Sequence, residues 1–185
     1  MTENSSAERL ELLLKAYELL SDITPKKYDC GILCSSVCCK NNSSHGNDKE
    51  CGMLLLPGEK ELLSGAPDYT FLNSANETLL VCDGKCIREL RPFACRIFPF
   101  YPKIVDCSGK YSVRILPDPR SFNICPITND FRKRKARIAF IRNAKKAVRI
   151  LMRDKMILEE LIKQSDMISD IEDLRKKLLS ADIKK

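Results

Sequence analysis

Leu10, Leu13, Leu14, Tyr17 and Leu20 recur at the three- and four-residue steps that put side chains on one helical face. Residues 5 to 21 therefore read as an amphipathic helix, with Ser5 and Ser6 as candidate N-caps and Pro25 as its stop. Toward the other end, Phe131, Ile138, Ile141, Val148 and Leu151 mark the apolar face of a long helix that Thr128 can cap. Met167, Ile168, Ile171, Leu174 and Leu178 mark a last helix from Asp166 to Leu179, its start made acidic by Asp170, Glu172 and Asp173. Between these helices the period changes. Residues 69 to 82 suggest two short strands joined near Asn73 to Asn76, and residues 110 to 118 alternate Tyr111, Val113 and Ile115 as the best strand candidate. Eight of the nine prolines fall between Pro57 and Pro126, so this middle part is expected to be loops, turns and short strands around fixed points.

At 185 residues and 44% apolar side chains, the chain suits one domain with a real core. No internal repeat or strong domain boundary interrupts it. The expected organisation is an N-terminal helix plus a cysteine-rich core over 1–127, with a helical segment, 128–185, packed on the same domain. The opening MTENSSAERLELLL is acidic and breaks its leucines with charges, which is neither a secretory signal nor a membrane span. A cytoplasmic location without membrane contact is the expectation.

The net charge of +7 is uneven. Residues 131 to 155 carry eleven basic side chains against one acid, Asp154, and the rest of the chain is net acidic. Such a stretch is either a solvated helix face, partly neutralised by the acidic start of the last helix, or a phosphate-binding surface. The solvated face is the preferred reading, since only Phe131 and Phe140 offer aromatic rings there for base stacking.

All ten cysteines lie between Cys30 and Cys125. One cluster is CGILCSSVCC, holding Cys30, Cys34, Cys38 and Cys39; a second is CDGKCIRELRPFAC, holding Cys82, Cys86 and Cys95; Cys125 follows in ICP. In a reducing compartment, thiols at this density persist more readily as metal ligands than as disulfides. Four sulfurs at ~2.3 Å satisfy a tetrahedral zinc. The spacing matches no ferredoxin run. His45, in a polar loop, reads as solvated rather than ligating, and Cys51 and Cys107 as buried small hydrophobes or free thiols.

The CGILCSSVCC cluster, GMLLLPGE (52 to 59), CDGKC, RPFACRIFP and the run from Asp118 to Pro126 together resemble the cysteine-cluster family described as CxxxCxxCC or YkgJ-like, a zinc- or iron-chelating domain. The resemblance spans about residues 28 to 127, and RPxxCRxFP is its most specific part. Three residues rather than two precede the CC pair here. The resemblance implies eight metal-binding cysteines: Cys30, Cys34, Cys38, Cys39, Cys82, Cys86, Cys95 and Cys125. It implies about two zinc ions or an iron-sulfur cluster, and no particular reaction. Some flagellin lysine methylases are similar in carrying such a cluster.

The expected fold class is therefore mainly α, with a small irregular, metal-centred, cysteine-rich core containing short β-strands. The leading function is a thiolate-held metal centre that organises the fold. The alternatives are an iron-sulfur redox or methyl-transfer enzyme and a nucleic-acid-binding module using the basic helix. No acid, base or substrate pocket is recognisable in the sequence, and a protein partner is not indicated. Two four-coordinate zincs would use all eight thiolates and leave no open position for catalysis.

RPFACRIFPF, residues 91 to 100, is apolar and cationic at once, so it needs a negative partner. Four thiolates around Zn²⁺ would supply one. Arg91 and Arg96, flanking Cys95, are then expected to face the centre and donate to sulfur, unless an arginine pairs with Glu89 at the surface.

Overall fold

The computed structural model describes residues 5–26, 35, 37–40, 52–66, 69–74, 77–82, 87–122, 124–129 and 137–182. Helix α1, Ser6–Glu18, begins in a reciprocal cap: Ser5 Oγ accepts from Glu8 N, and the Glu8 carboxylate accepts from Ser5 N. It buries Leu12, Leu13, Ala16 and Tyr17 and ends well before Pro25. A short helix α2, Val37–Lys40, follows.

Strands β1 (Met53–Leu54), β2 (Tyr69–Ser74) and β3 (Glu77–Cys82) form an antiparallel sheet in the order β1-β3-β2. Strands β2 and β3 are the two short strands expected over residues 69 to 82, and they pair from Tyr69 with Cys82 to Ser74 with Glu77. Helix α3, Glu59–Leu63, lies between β1 and β2. It starts at Gly58, whose φ of 91° suits a residue without Cβ; a side chain there would meet Leu13 Cδ1 at 3.0 Å.

Helix α4, Phe93–Ile97, leads into a second sheet, the hairpin of β4 (Phe100–Cys107) and β5 (Lys110–Pro117), paired from Phe100 with Pro117 to Cys107 with Lys110. Strand β5 was expected. Strand β4 was not, because Pro102 interrupts a run buried on both faces at Phe100, Tyr101, Pro102 and Ile104.

The C-terminal helices divide differently from the sequence expectation. Thr128 does not cap a long helix. It sits in the short helix α5, Pro126–Asn129, where its buried hydroxyl bonds to the carbonyls of Ser121 and Cys125. The basic helix α6 spans Ile138–Leu151, and α7 spans Lys155–Asp182, starting eleven residues before the expected Asp166. Asp154 makes the break: fully buried, its Oδ1 accepts from Ile157 N at 2.9 Å and its Oδ2 meets Arg9 Nε at 3.1 Å.

The main core joins Leu13, Tyr17 and Leu20 of the N-terminal segment to Phe93 and Ile97 of α4, Phe100 and Ile104 of β4, Phe140, Ala147 and Leu151 of α6, and Ile157 and Leu161 of α7. A smaller core under the first sheet holds Leu55, Leu63 and Leu80. The fold is thus helices combined with small antiparallel sheets. Among the described residues the main core is hydrocarbon, because the apolar faces of five segments converge there. Helix α7 lies along β4, with Ser165 Oγ accepting from Ile104 N at 3.0 Å and Lys103 Nζ donating to Ser169 Oγ at 2.6 Å.

Candidate metal centre

The segment 91–100 meets its negative partner in Glu59. This carboxylate, fully buried at the start of α3, accepts from Leu56 N at 2.8 Å, from Phe93 N at 2.6 Å and from the Tyr17 hydroxyl. Burial pushes the Glu59 carboxyl above its ordinary range, opposed by these hydrogen bonds and by the nearby Arg96 guanidinium. Tyr17 is raised as well, first by burial and then by the Glu59 charge. Three segments remote in sequence, α1, α3 and α4, are locked together at this point.

Arg96 completes the lock. Its Cζ lies 4.0 Å from the centroid of the Tyr17 ring, its Nε donates to the Arg91 carbonyl at 2.7 Å, and its Nη2 donates to the Glu89 carbonyl at 2.6 Å. Burial works against the Arg96 charge, while Tyr17 and Glu59 support it. The surface pairing expected between an arginine and Glu89 takes another form: the main-chain carbonyl of Glu89, not its carboxylate, receives Arg96. Nearby, Arg88 donates to the carbonyls of Ser21 at 2.6 Å and Ile23 at 3.1 Å, tying the turn before α4 to the end of the α1 segment.

Cys95 is carried on α4 between Phe93 and Arg96, so its placement is fixed by this lock, and its thiol is half-buried. Cys82 ends β3 opposite Tyr69, also half-buried, and packs with Leu90 against the smaller core. The Tyr69 hydroxyl donates to the Leu90 carbonyl at 3.0 Å, which holds the end of the first hairpin against the approach to α4. Cys38 is half-buried on α2. Cys125 is buried before α5, its N–H bonded to the Ser121 carbonyl at 2.8 Å.

None of these four is joined in a disulfide. Cys30, Cys34 and Cys86 lie outside the described residues, as do the side chain of Cys39 and the residues His45 and Cys51. Among the described residues, no group of three or more Cys, His, Asp or Glu side chains is placed to hold a metal ion. The donor set fits a soft metal in kind: cysteine sulfurs, half-buried or buried, delivered by separate elements. Cys107, expected as a bystander, is exposed at the β4–β5 turn with its sulfur 3.8 Å from Ser112 Oγ, which makes it a free thiol rather than a buried hydrophobe.

The sequence reading missed Glu59 and Tyr17. GEKEL looks like a solvated helix start. The usable signal was the demand of RPFACRIFPF for a buried anion, which was assigned to the metal centre alone.

Among the described helices, none is long and apolar enough to cross a membrane. No protein-family model, no curated protein and no solved structure matches this chain.

Proposed function

We propose that this protein is a thiolate metal-binding protein in which Cys30, Cys34, Cys38, Cys39, Cys82, Cys86, Cys95 and Cys125 hold about two zinc ions or an iron-sulfur cluster, and that the centre organises the segments between α1 and α5. The observation that carries this reading is the support of Cys95. A five-residue helix bearing one half-buried thiol is clamped by a buried carboxylate, a tyrosine and an arginine, more fixation than a lone structural cysteine requires. Partly buried Cys38 and Cys82 on other elements add to it. The carboxylate lock also means that Arg96 need not spend its charge on sulfur alone. Bound zinc would supply a fixed charge and a tetrahedral cross-link. The chain's part is to present the thiols and exclude water with Phe93, Ile97 and Phe100.

Elemental analysis of protein purified without oxygen tests the proposal. The expected result is about two zinc ions per chain, or iron with acid-labile sulfide and visible absorbance, the latter favouring the redox or methyl-transfer alternative. Cys38→Ser and Cys95→Ser should lose metal while Cys107→Ser keeps it. Metal-poor protein whose cysteines are paired as disulfides by mass, or equal metal loss from the Cys95 and Cys107 variants, refutes it.

A second reading, binding of duplex nucleic acid by α6, is favoured by one specific observation. Arg142, Lys145, Lys146 and Arg149 form no ion pair among the described residues, and two of the three acids of α7 that were expected to neutralise them instead pair within their own helix, Glu172 with Lys176 at 3.1 Å and Asp173 with the same lysine at 3.5 Å. Phe140 is fully buried, so any contact would be to phosphates rather than stacked bases.

A further inference from the structure

The apolar stripe that marks the last helix in the sequence does not face the core. Of its five members only Ile168 is buried, at 3% exposure, whereas Met167 is 39% exposed, Ile171 38%, Leu174 59% and Leu178 60%. The face of α7 that packs on the domain is Ile157, Leu158, Leu161, Ser165 and Ile168, turned roughly 120° about the axis from this stripe at the α-helical period. The four exposed residues follow one another at steps of four, three and four, the seven-residue repeat that forms the seam of a coiled coil. Scattered exposed leucines are ordinary; four in register along one helix are not.

We propose that the C-terminal half of α7 pairs with the same segment of a second copy of this chain, as a short parallel two-stranded coiled coil. Two observations select this occupant. In heptad terms Ile171 and Leu178 occupy position a, and Met167 and Leu174 position d; the central pair, β-branched Ile171 at a with Leu174 at d, suits two parallel strands. The flanking charges are complementary to themselves in that arrangement. Asp170 stands at g and Arg175 at the following e, the five-residue offset that brings g of one strand to e of the other when both run the same way. Each copy therefore offers an anion to the other's cation, twice by symmetry. Asp170 is exposed and makes no ion pair among the described residues. Arg175 is stacked on Phe122 with Cζ 3.9 Å from the ring centroid, which covers one face of the guanidinium and leaves its edge N–H groups to donate.

The helix is already built for the purpose. Its first half is anchored by Ile157, Leu158 and Leu161 in the core and by ion pairs from Lys163 to Glu77 and from Lys103 to Asp166, so the second half extends from a formed helix and bears no nucleation cost. Because the domain lies away from the seam direction, a two-fold axis along the coil sets the two domains on opposite flanks. A seam of four side chains per copy is below standard interface size, so the dimer is weak, with dissociation in the range of about 1–100 µM.

Sedimentation equilibrium of the full chain over that concentration range tests this. The expected result is a monomer–dimer equilibrium that Leu174→Glu and Leu178→Glu abolish without loss of helical circular dichroism, since both positions are exposed in the single chain. Asp170→Arg and Arg175→Asp should each weaken association by about tenfold, and combining them should restore it, because the pair is then re-formed with its signs exchanged. A monomer throughout the range, a dimer indifferent to the glutamates, or a double exchange that fails to restore association would each overturn the proposal; the last would point to antiparallel pairing or another face.

Discussion

Replacing Glu59 with glutamine exchanges one carboxylate oxygen for an NH₂ group and should cost the protein a measurable part of its stability. The carboxylate accepts at both oxygens: Tyr17 and Phe93 N meet Oε1, and Leu56 N meets Oε2. Glutamine offers one acceptor oxygen and one NH₂ group. If its NH₂ takes the Oε2 place it faces the Leu56 N–H; if it takes the Oε1 place it faces the Phe93 N–H. Either way one buried donor is left without an acceptor, which costs ~1–3 kcal/mol. Alanine would abandon all three donors and leave a cavity, so Glu59→Ala is expected to lose at least ~3 kcal/mol. Urea unfolding at neutral pH, followed by circular dichroism, gives both differences from shifts in midpoint at constant slope. The pH dependence adds a sign. Burial raises the folded carboxyl above 4.5, its ordinary value, so the folded state holds this proton more tightly than the unfolded chain does. The group's contribution is full below pH 4.5 and is lost as pH rises through its folded value. The glutamine variant has no such loss, and the stability gap between it and the parent should narrow as pH rises through that window. A Gln variant within ~0.5 kcal/mol of the parent at neutral pH would show that this carboxylate does not lock α1, α3 and α4 together, and a gap that widens with pH would show that the three donors outweigh burial at this carboxyl.

Arg96→Lys should behave much like Arg96→Ala in urea unfolding, each losing ~1–2 kcal/mol, because a lysine cannot stack on Tyr17 while donating to two carbonyls; full stability in the lysine variant would mean that charge alone matters. On the same account, Arg96→Ala should also release metal to a competing chelator about tenfold more readily than the parent, with Arg91→Ala releasing less. For α6, neutralising Arg142, Lys145 and Arg149 together should change stability by no more than ~0.5 kcal/mol, these side chains lying on its outer face. If α6 binds duplex through about four phosphates, parent affinity should fall by roughly a hundredfold between 50 and 200 mM salt and collapse in that variant; an affinity independent of salt would exclude the reading.

The parts of the fold that were legible in the sequence are those where one local signal is enough. Ser5 and Glu8 stand three apart before an apolar period, and the helix begins there. The alternation through Tyr111, Val113 and Ile115 is strand β5, and the hairpin over residues 69–82 closes where its polar residues cluster. Illegible parts had signals that compete. The apolar period of α6 runs on into Ile157 and Leu161 with little visible break, and only Asp154, one acid among eleven basic residues, marks the change of helix, by capping the next one. The stripe on the last helix is a true period whose members are mostly exposed, because periodicity fixes which residues share a side and not what that side meets. The candidate site divides in the same way. The cysteine clusters stand out in the sequence, but Glu59 acquires its meaning only when β1, α3 and α4 are brought together in three dimensions.

The seating of α7 along β4 also decides how this molecule can grow. A strand with free N–H groups on its outer side is a template on which another chain can lay a further strand. On β4, two successive outward positions offer no such group, since Pro102 has no amide hydrogen and the Ile104 amide is given to Ser165. The hairpin cannot be continued along that edge without first prising off a helix whose buried anchors lie in the main core. Cross-β growth from β4 therefore requires unfolding.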